Sequence, residues 1–118
     1  MPGVSTQKTF LCTTHDVVEN SARGFDNSVP SLFVVKQAGK FYVYLNRCPH
    51  AGTELNWSAD VFLTSDRALI ICATHGALFV KESGLCVGGP CQGKSLQSLP
   101  FVIEDEKIYL LDHQNNLN

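Results

Sequence analysis

At 118 residues the chain has room for one domain, since separate cores arise only in much longer chains. Apolar residues make up 44% and charged residues 17%, enough for a core beneath an ordinary surface. The formal charge is −2, and the nine Lys and Arg are scattered, which excludes a basic footprint for nucleic acid and a polybasic membrane anchor.

The N-terminal Met1–Lys8 lacks the apolar core of a secretory signal. The longest apolar run, Ala68–Ala73, is far short of the ~20 residues of a membrane span. A cytoplasmic, monomeric protein without a membrane segment is the expectation. In chain order, Thr9–Cys12 predicts a brief first strand. Leu32–Lys36 and Lys40–Leu45 predict a hairpin, with β-branched and aromatic residues on both arms and Gly39 in the connection. One short helical turn is expected within Thr53–Phe62. Ala68–Ala73 and Ala77–Val80 read as strands, and Lys81–Gly84 as a turn into Leu85–Val87. Phe101–Glu104 and Lys107–Leu111 form a last hairpin. No window sustains a 3.6-residue apolar period, so the fold class is all-β, an antiparallel sandwich of short strands whose loops carry the chemistry. The expected domain is 1–118, with an ordered core over about 9–111.

Five cysteines are an odd number, and in a reducing compartment they read as metal ligands or buried thiols rather than a disulfide framework. Two clusters stand out, Cys48-Pro49-His50 and Cys72-Ala73-Thr74-His75, separated by the 21 residues from Ala51 to Ile71. Each follows a predicted strand, so each loop leaves the sheet with one thiolate and one imidazole. Pro49 stiffens the first loop by fixing its φ. Gly52 and Gly76 follow the histidines and permit a tight turn or a close backbone approach. Two sulfurs and two nitrogens suit tetrahedral zinc as well as an iron–sulfur centre. Zinc modules more often pair Cys-x₂₋₄-Cys with His-x₃₋₅-His.

Cys-x-His followed by Cys-x-x-His, each with Gly just after the His, resembles the Rieske family, in which two His replace two Cys on one iron of a [2Fe–2S] cluster. The likeness runs from about Thr9 to Leu111. It places Gly88-Gly89-Pro90-Cys91 in the loop that covers the cluster, and Leu96, Leu99-Pro100 and the final hairpin also fit small Rieske ferredoxins. The resemblance implies that Cys48 and Cys72 bind the inner iron, and that His50 and His75 bind the outer one through Nδ1. The spacing between the two boxes is longer than in compact members. The resemblance also implies a low potential. The loop-to-loop disulfide of high-potential members has no cysteines here, and Ala77 and Phe79 stand where a Ser and a Tyr would donate to cluster sulfurs.

The implied function is that of a soluble one-electron carrier with one [2Fe–2S] cluster, meeting a reductase and a terminal oxidoreductase, and not itself an enzyme. The alternatives are a small Rieske accessory subunit of a nitrite-reductase-like or oxygenase system, or a structural zinc module. An oxygenase catalytic subunit is excluded, because its mononuclear iron needs two further His and a carboxylate in a large additional domain. Among the remaining residues, Cys12, Cys86 and Cys91 read as small buried thiols, with a local Cys86–Cys91 disulfide as the alternative. His15, His113, Glu54 and Asp60 read as solvated surface, and Trp57 as a packing anchor.

Overall fold

The computed structural model describes residues 7–25, 31–49, 52–56 and 59–112. The strands among them are β1 (Gln7–Thr13), β2 (Ser21–Phe25), β3 (Leu32–Gln37), β4 (Lys40–Leu45) and β5 (Ile70–Ile71). β6 (Leu78–Phe79), β7 (Cys86–Gly88), β8 (Phe101–Glu104) and β9 (Lys107–Asp112) complete the set. Every pairing is antiparallel, and the all-β expectation holds. Among the described residues no helix is long and apolar enough to cross a membrane.

The chain divides into two compact units, one of Met1–Asp16 with Leu99–Asn118 and the other of Val17–Ser98. The first holds a three-stranded sheet in the order β1-β9-β8. Its hairpin turns at Asp105 and Glu106, with φ of 55° and 63°. Two positive φ values at the centre of a two-residue loop match the right-handed twist of the flanking strands. β1 bulges between Phe10 and Cys12 and ends in a 3₁₀ turn, Thr14–Asp16, where Asp16 Oδ2 accepts the Thr13 N–H at 2.9 Å. This turn carries no sequence signal of the kind used above.

The larger unit contains the sheets β2-β3-β4 and β5-β6-β7. In β3, Leu32, Phe33, Val34 and Val35 are all fully buried, as expected of a central strand apolar on both faces. The β3–β4 hairpin turns at Ala38 and Gly39, again with positive φ. The Glu19 carboxylate accepts the N–H of Ala38 at 2.6 Å and of Gly39 at 3.0 Å. The bonds from Gly39 and then Ala38 hold that carboxyl below its usual value. The core draws on both sheets, with Phe33 stacked on Phe62 at 4.4 Å and Cys48, Cys72, Cys86 and Cys91 in the same buried cluster.

Three differences from the sequence reading have physical causes. β2 was not expected, because Ser21-Ala22-Arg23-Gly24-Phe25 carries only one large apolar residue. Its Gly24 is needed, since a Cβ there would lie 2.9 Å from the Phe62 ring. The expected strand Ala68–Ala73 contracts to Ile70–Ile71, because a turn occupies the stretch before it. In that turn Thr64 N–H donates to Leu69 O, Arg67 N–H donates to Thr64 O, and Asp66 Oδ1 accepts from Thr64 Oγ1 and the Ala68 N–H. The helical turn expected within Thr53–Phe62 is absent among the described residues there; Trp57 and Ser58 lie outside them.

Lys81 is only 5% exposed and directs its ammonium at three neutral acceptors. Nζ donates to Asn20 Oδ1 at 2.8 Å, Gln37 Oε1 at 2.5 Å and Arg67 O at 2.7 Å. Its carbonyl accepts the Tyr44 hydroxyl at 2.8 Å, and burial pushes that phenol up to about 12. One residue thus ties the start of β2, the end of β3 and the turn before β5 to the end of β6. Lys81→Met keeps the stem but removes the donor from three part-buried acceptors, and a typical hydrogen bond contributes about 0.5–1.5 kcal/mol net. A clear fall in unfolding free energy by denaturant titration is the expected outcome, whereas an unchanged midpoint would assign the tie no net stabilisation.

Candidate metal centre

The two cysteine–histidine boxes fold into loops with the same closure. Cys48 N–H donates to Thr53 O at 2.8 Å, and Gly52 N–H donates back to Cys48 O at 2.7 Å. Cys72 N–H donates to Ala77 O at 2.9 Å, and Gly76 N–H donates back to Cys72 O at 2.8 Å. In both loops the glycine stands four residues after the cysteine, with φ of 75° at Gly52 and 72° at Gly76. A side chain rarely adopts that conformation, so glycine is required for each loop to close on its own cysteine. Both cysteines are fully buried and His75 is exposed. The structure brings Cys48 and Cys72 into one buried cluster. His50 and Ala51 lie outside the described residues.

Two residues that the sequence did not single out hold the loops together. Asn46, two positions before Cys48 and 7% exposed, accepts the Leu55 N–H on Oδ1 at 2.8 Å and donates from Nδ2 to Asn56 Oδ1 at 3.0 Å. The Leu55 carbonyl accepts the N–H of Ala73, the residue after Cys72, at 2.8 Å. The backbone of Leu55 therefore bridges the first loop and the second. The only sequence signal was a buried-type Leu just after the first box, which spacing alone cannot separate from any core leucine.

The Gly88-Gly89-Pro90 segment lies against the second loop as expected of a cover. Gly89 has φ of 88°, and a Cβ on it would stand 2.8 Å from Ala77 Cα. Ala77 and Phe79 are fully buried, so neither position of the missing hydroxyl donors opens to solvent. A groove of about 490 Å³ runs beside Cys48 and Pro49, between Arg47 and the Ser95–Gln97 stretch.

The donor set can be tested against the two metals that suit it. A single tetrahedral zinc would gather all four side chains around one point. Of the three donors described, Cys48 and Cys72 lie in one buried cluster while His75 is exposed. A two-iron cluster asks only for one pair of protein ligands per iron, with two buried thiols facing inward and imidazoles outward. The residues fit the cluster.

The remaining residues fall mostly as their types suggest. Cys12 is buried in β1, Cys86 and Cys91 are buried, and Glu54 is exposed. His15 is exposed, with Nε2 2.7 Å from Glu106 Oε1. Asp60 is exposed yet structural, since Oδ1 accepts the Gly24 N–H at 2.8 Å. Trp57 and His113 lie outside the described residues. Asn46→Ala would leave the buried Leu55 N–H without its acceptor, at a cost of about 1–3 kcal/mol. Faster loss of the chromophore on chelator challenge is expected, with the spectrum of the loaded protein unchanged; equal rates of loss would show that the Asn46 bond does not steady the loop.

Among curated protein sequences no match is found. Among solved structures, the chain is similar to a ferredoxin of Sphingomonas yanoikuyae B1, at 25% identity and a TM-score of 0.70, over 91% of this chain and all of that one. It also superposes on the ferredoxin of carbazole 1,9a-dioxygenase from Nocardioides aromaticivorans IC177, at 19% identity and a TM-score of 0.67, over 88% and 96% of the two chains. A third likeness, at 20% identity and a TM-score of 0.67 over 87% and 99%, is to a chain solved in a complex of reduced oxygenase and oxidized ferredoxin in carbazole 1,9a-dioxygenase. The family model of the Rieske [2Fe-2S] domain matches residues 7–104, which include both loops and the cover segment. Paired loops, a donor set that fits two irons, and this match over most of the chain agree: the chain belongs to the Rieske [2Fe-2S] domain family.

Proposed function

We propose that Cys48 and Cys72 bind one iron of a single [2Fe–2S] cluster, that His50 and His75 bind the other, and that the chain carries single electrons between a reductase and a terminal oxidoreductase. The observation that carries the ligand assignment is the identical closure of the two loops on Cys48 and Cys72, with both thiols buried and His75 exposed. The carrier role is supported by the family match and by the likeness to ferredoxins, one of them solved with an oxygenase. A cytoplasmic location and a single functional domain over 1–118 complete the reading.

When bound, the cluster supplies one-electron redox chemistry, and the chain governs its access and its potential. The buried thiolate side keeps water away from one iron, while the exposed His75 edge offers the short path to a partner. Its neighbours Thr74 and Gly76, and Gly89 and Pro90 of the cover segment that lies against Ala77, are exposed and carry no charge, so a partner can approach closely. Such transient redox contacts are small, below about 1,200 Å² in total. A net charge of −2 gives little long-range steering, so close fit rather than attraction sets the encounter.

The purified protein is expected to hold two irons and two acid-labile sulfides, and Cys72→Ala or His75→Ala to lose both along with the colour. Stoichiometric zinc without sulfide after anaerobic reconstitution would overturn the assignment. The potential is expected low in the family range, because Ala77 and Phe79 offer no hydroxyl to stabilise the reduced, more negative cluster. Ala77→Ser restores one donor and is expected to raise the midpoint, where about 59 mV is a tenfold change for one electron. An unchanged midpoint, with the new hydroxyl directed at sulfur, would remove the missing donor as a cause.

A further inference from the structure

Cys86 and Cys91 are not needed by either loop, yet the fold brings them together. Cys86 lies on β7 and Cys91 follows the Gly88-Gly89-Pro90 turn, with exposures of 3% and 2%. Cys91 Sγ donates to Cys86 Sγ at 3.1 Å, and Cys86 Sγ donates to Gly88 O at 3.1 Å. The backbone fixes both ends of this small ring. Cys86 N–H donates to Lys94 O at 2.8 Å, and Lys94 N–H donates to Cys91 O at 2.9 Å. What two cysteines add is the ability to form a bond, and these sulfurs need to close by only about 1 Å to reach a disulfide's ~2.05 Å.

We propose that Cys86 and Cys91 form a second redox site, a dithiol/disulfide couple in the loop that covers the cluster, whose exchange partner is a low-molecular-weight disulfide of the glutathione class. In the forward direction one protein thiolate attacks a glutathione disulfide sulfur and releases one glutathione. The second protein thiolate then attacks the mixed disulfide and releases the other. One S–S bond breaks and one forms. The two protein thiols give up two protons and two electrons, and the two glutathione sulfurs receive them as thiols. In the resting state Cys91 stays a neutral thiol, since burial and then the bond with Cys86 push it up to about 12. Exchange needs a thiolate and access to it, so the conversion is slow and waits on opening of the loop. Once closed, the ring spans Gly89, whose backbone already lies against Ala77, and so ties the cover segment down beside the second loop.

Trypsin provides a direct readout. Both cysteines fall in the single peptide Glu82–Lys94, while Cys48 and Cys72 fall in separate peptides, Cys48–Arg67 and Ala68–Lys81. The holoprotein would be equilibrated anaerobically in glutathione buffers running from fully reduced to fully oxidised, then denatured, alkylated and digested. The expected result is that Glu82–Lys94 passes from two alkylated thiols to none, at a mass two hydrogens below that of the free dithiol peptide, while the visible spectrum is retained. Cys91→Ser is expected to give at most a mixed disulfide with glutathione on Cys86. Two alkylated thiols at the most oxidising poise, or closure only as the colour disappears, would overturn the proposal. A failure of the cluster-ligand assignment would appear instead in the iron and sulfide content, which this peptide does not report.

Discussion

The site depends on the backbone of one buried residue. Leu55 gives its N–H to Asn46, just before the first cysteine, and its carbonyl takes the N–H of Ala73, just after the second. Leu55 itself is fully buried in the core, so neither of the two peptide groups that flank it can turn to water without opening the unit. Buried backbone groups go unpaired only at considerable cost, and here both have partners on opposite loops. The spacing between two loops that leave different sheets is thereby set by a third segment that carries no ligand. Each loop's own closure fixes its shape, and Leu55 fixes how far apart the two shapes are held.

The sequence made the chemistry more legible than the architecture. The two boxes could be read because a metal restricts both residue type and spacing, and because glycine at the fourth position after each cysteine is a backbone requirement. The hairpins were legible for the same kind of reason, since Leu32–Val35 and the turns at Ala38-Gly39 and Asp105-Glu106 act locally. What stayed hidden depends on partners distant in sequence. β2 forms because Gly24 lets the Phe62 ring approach and Asp60 caps its N–H, 36 residues away. Lys81 looked like an ordinary turn residue until its ammonium was found on Asn20, Gln37 and Arg67. Asn46 falls in the same class, because a polar residue just past a strand's end signals nothing until its partner, the Leu55 N–H, is placed.

Lys81 and Leu55 solve the same problem in different ways. The sheet β5-β6-β7 is made of strands of two or three residues, too short to hold register by themselves. Such strands are dictated by the site, since the second loop must leave the sheet at Cys72 and return by Ala77. The missing ladder bonds are replaced by side-chain ties. Lys81 fastens the far end of β6 to the hairpin sheet, and Leu55 fastens the near end of the ligand loop. A buried ammonium among neutral acceptors is an expensive tie, but it satisfies three loop ends at once, and a hydrophobic residue could satisfy none of them.

The cover segment shows how packing and electronics become coupled. Gly89 can lie against Ala77 only because both residues are small; a Cβ at 89 would meet Ala77 Cα at 2.8 Å and Ala77 Cβ at 3.4 Å. The position at which high-potential members of the family place a hydroxyl is thus also the position against which this chain seats its cover. A larger residue at 77 acts on the fit of that cover as well as on the cluster. The small residue that lets the loop close is the same one that withholds a hydrogen bond from the sulfurs. The absent hydroxyl and the close cover are therefore two consequences of one small residue at 77, and the paired thiols of Cys86 and Cys91 sit at the two ends of the segment that packs against it.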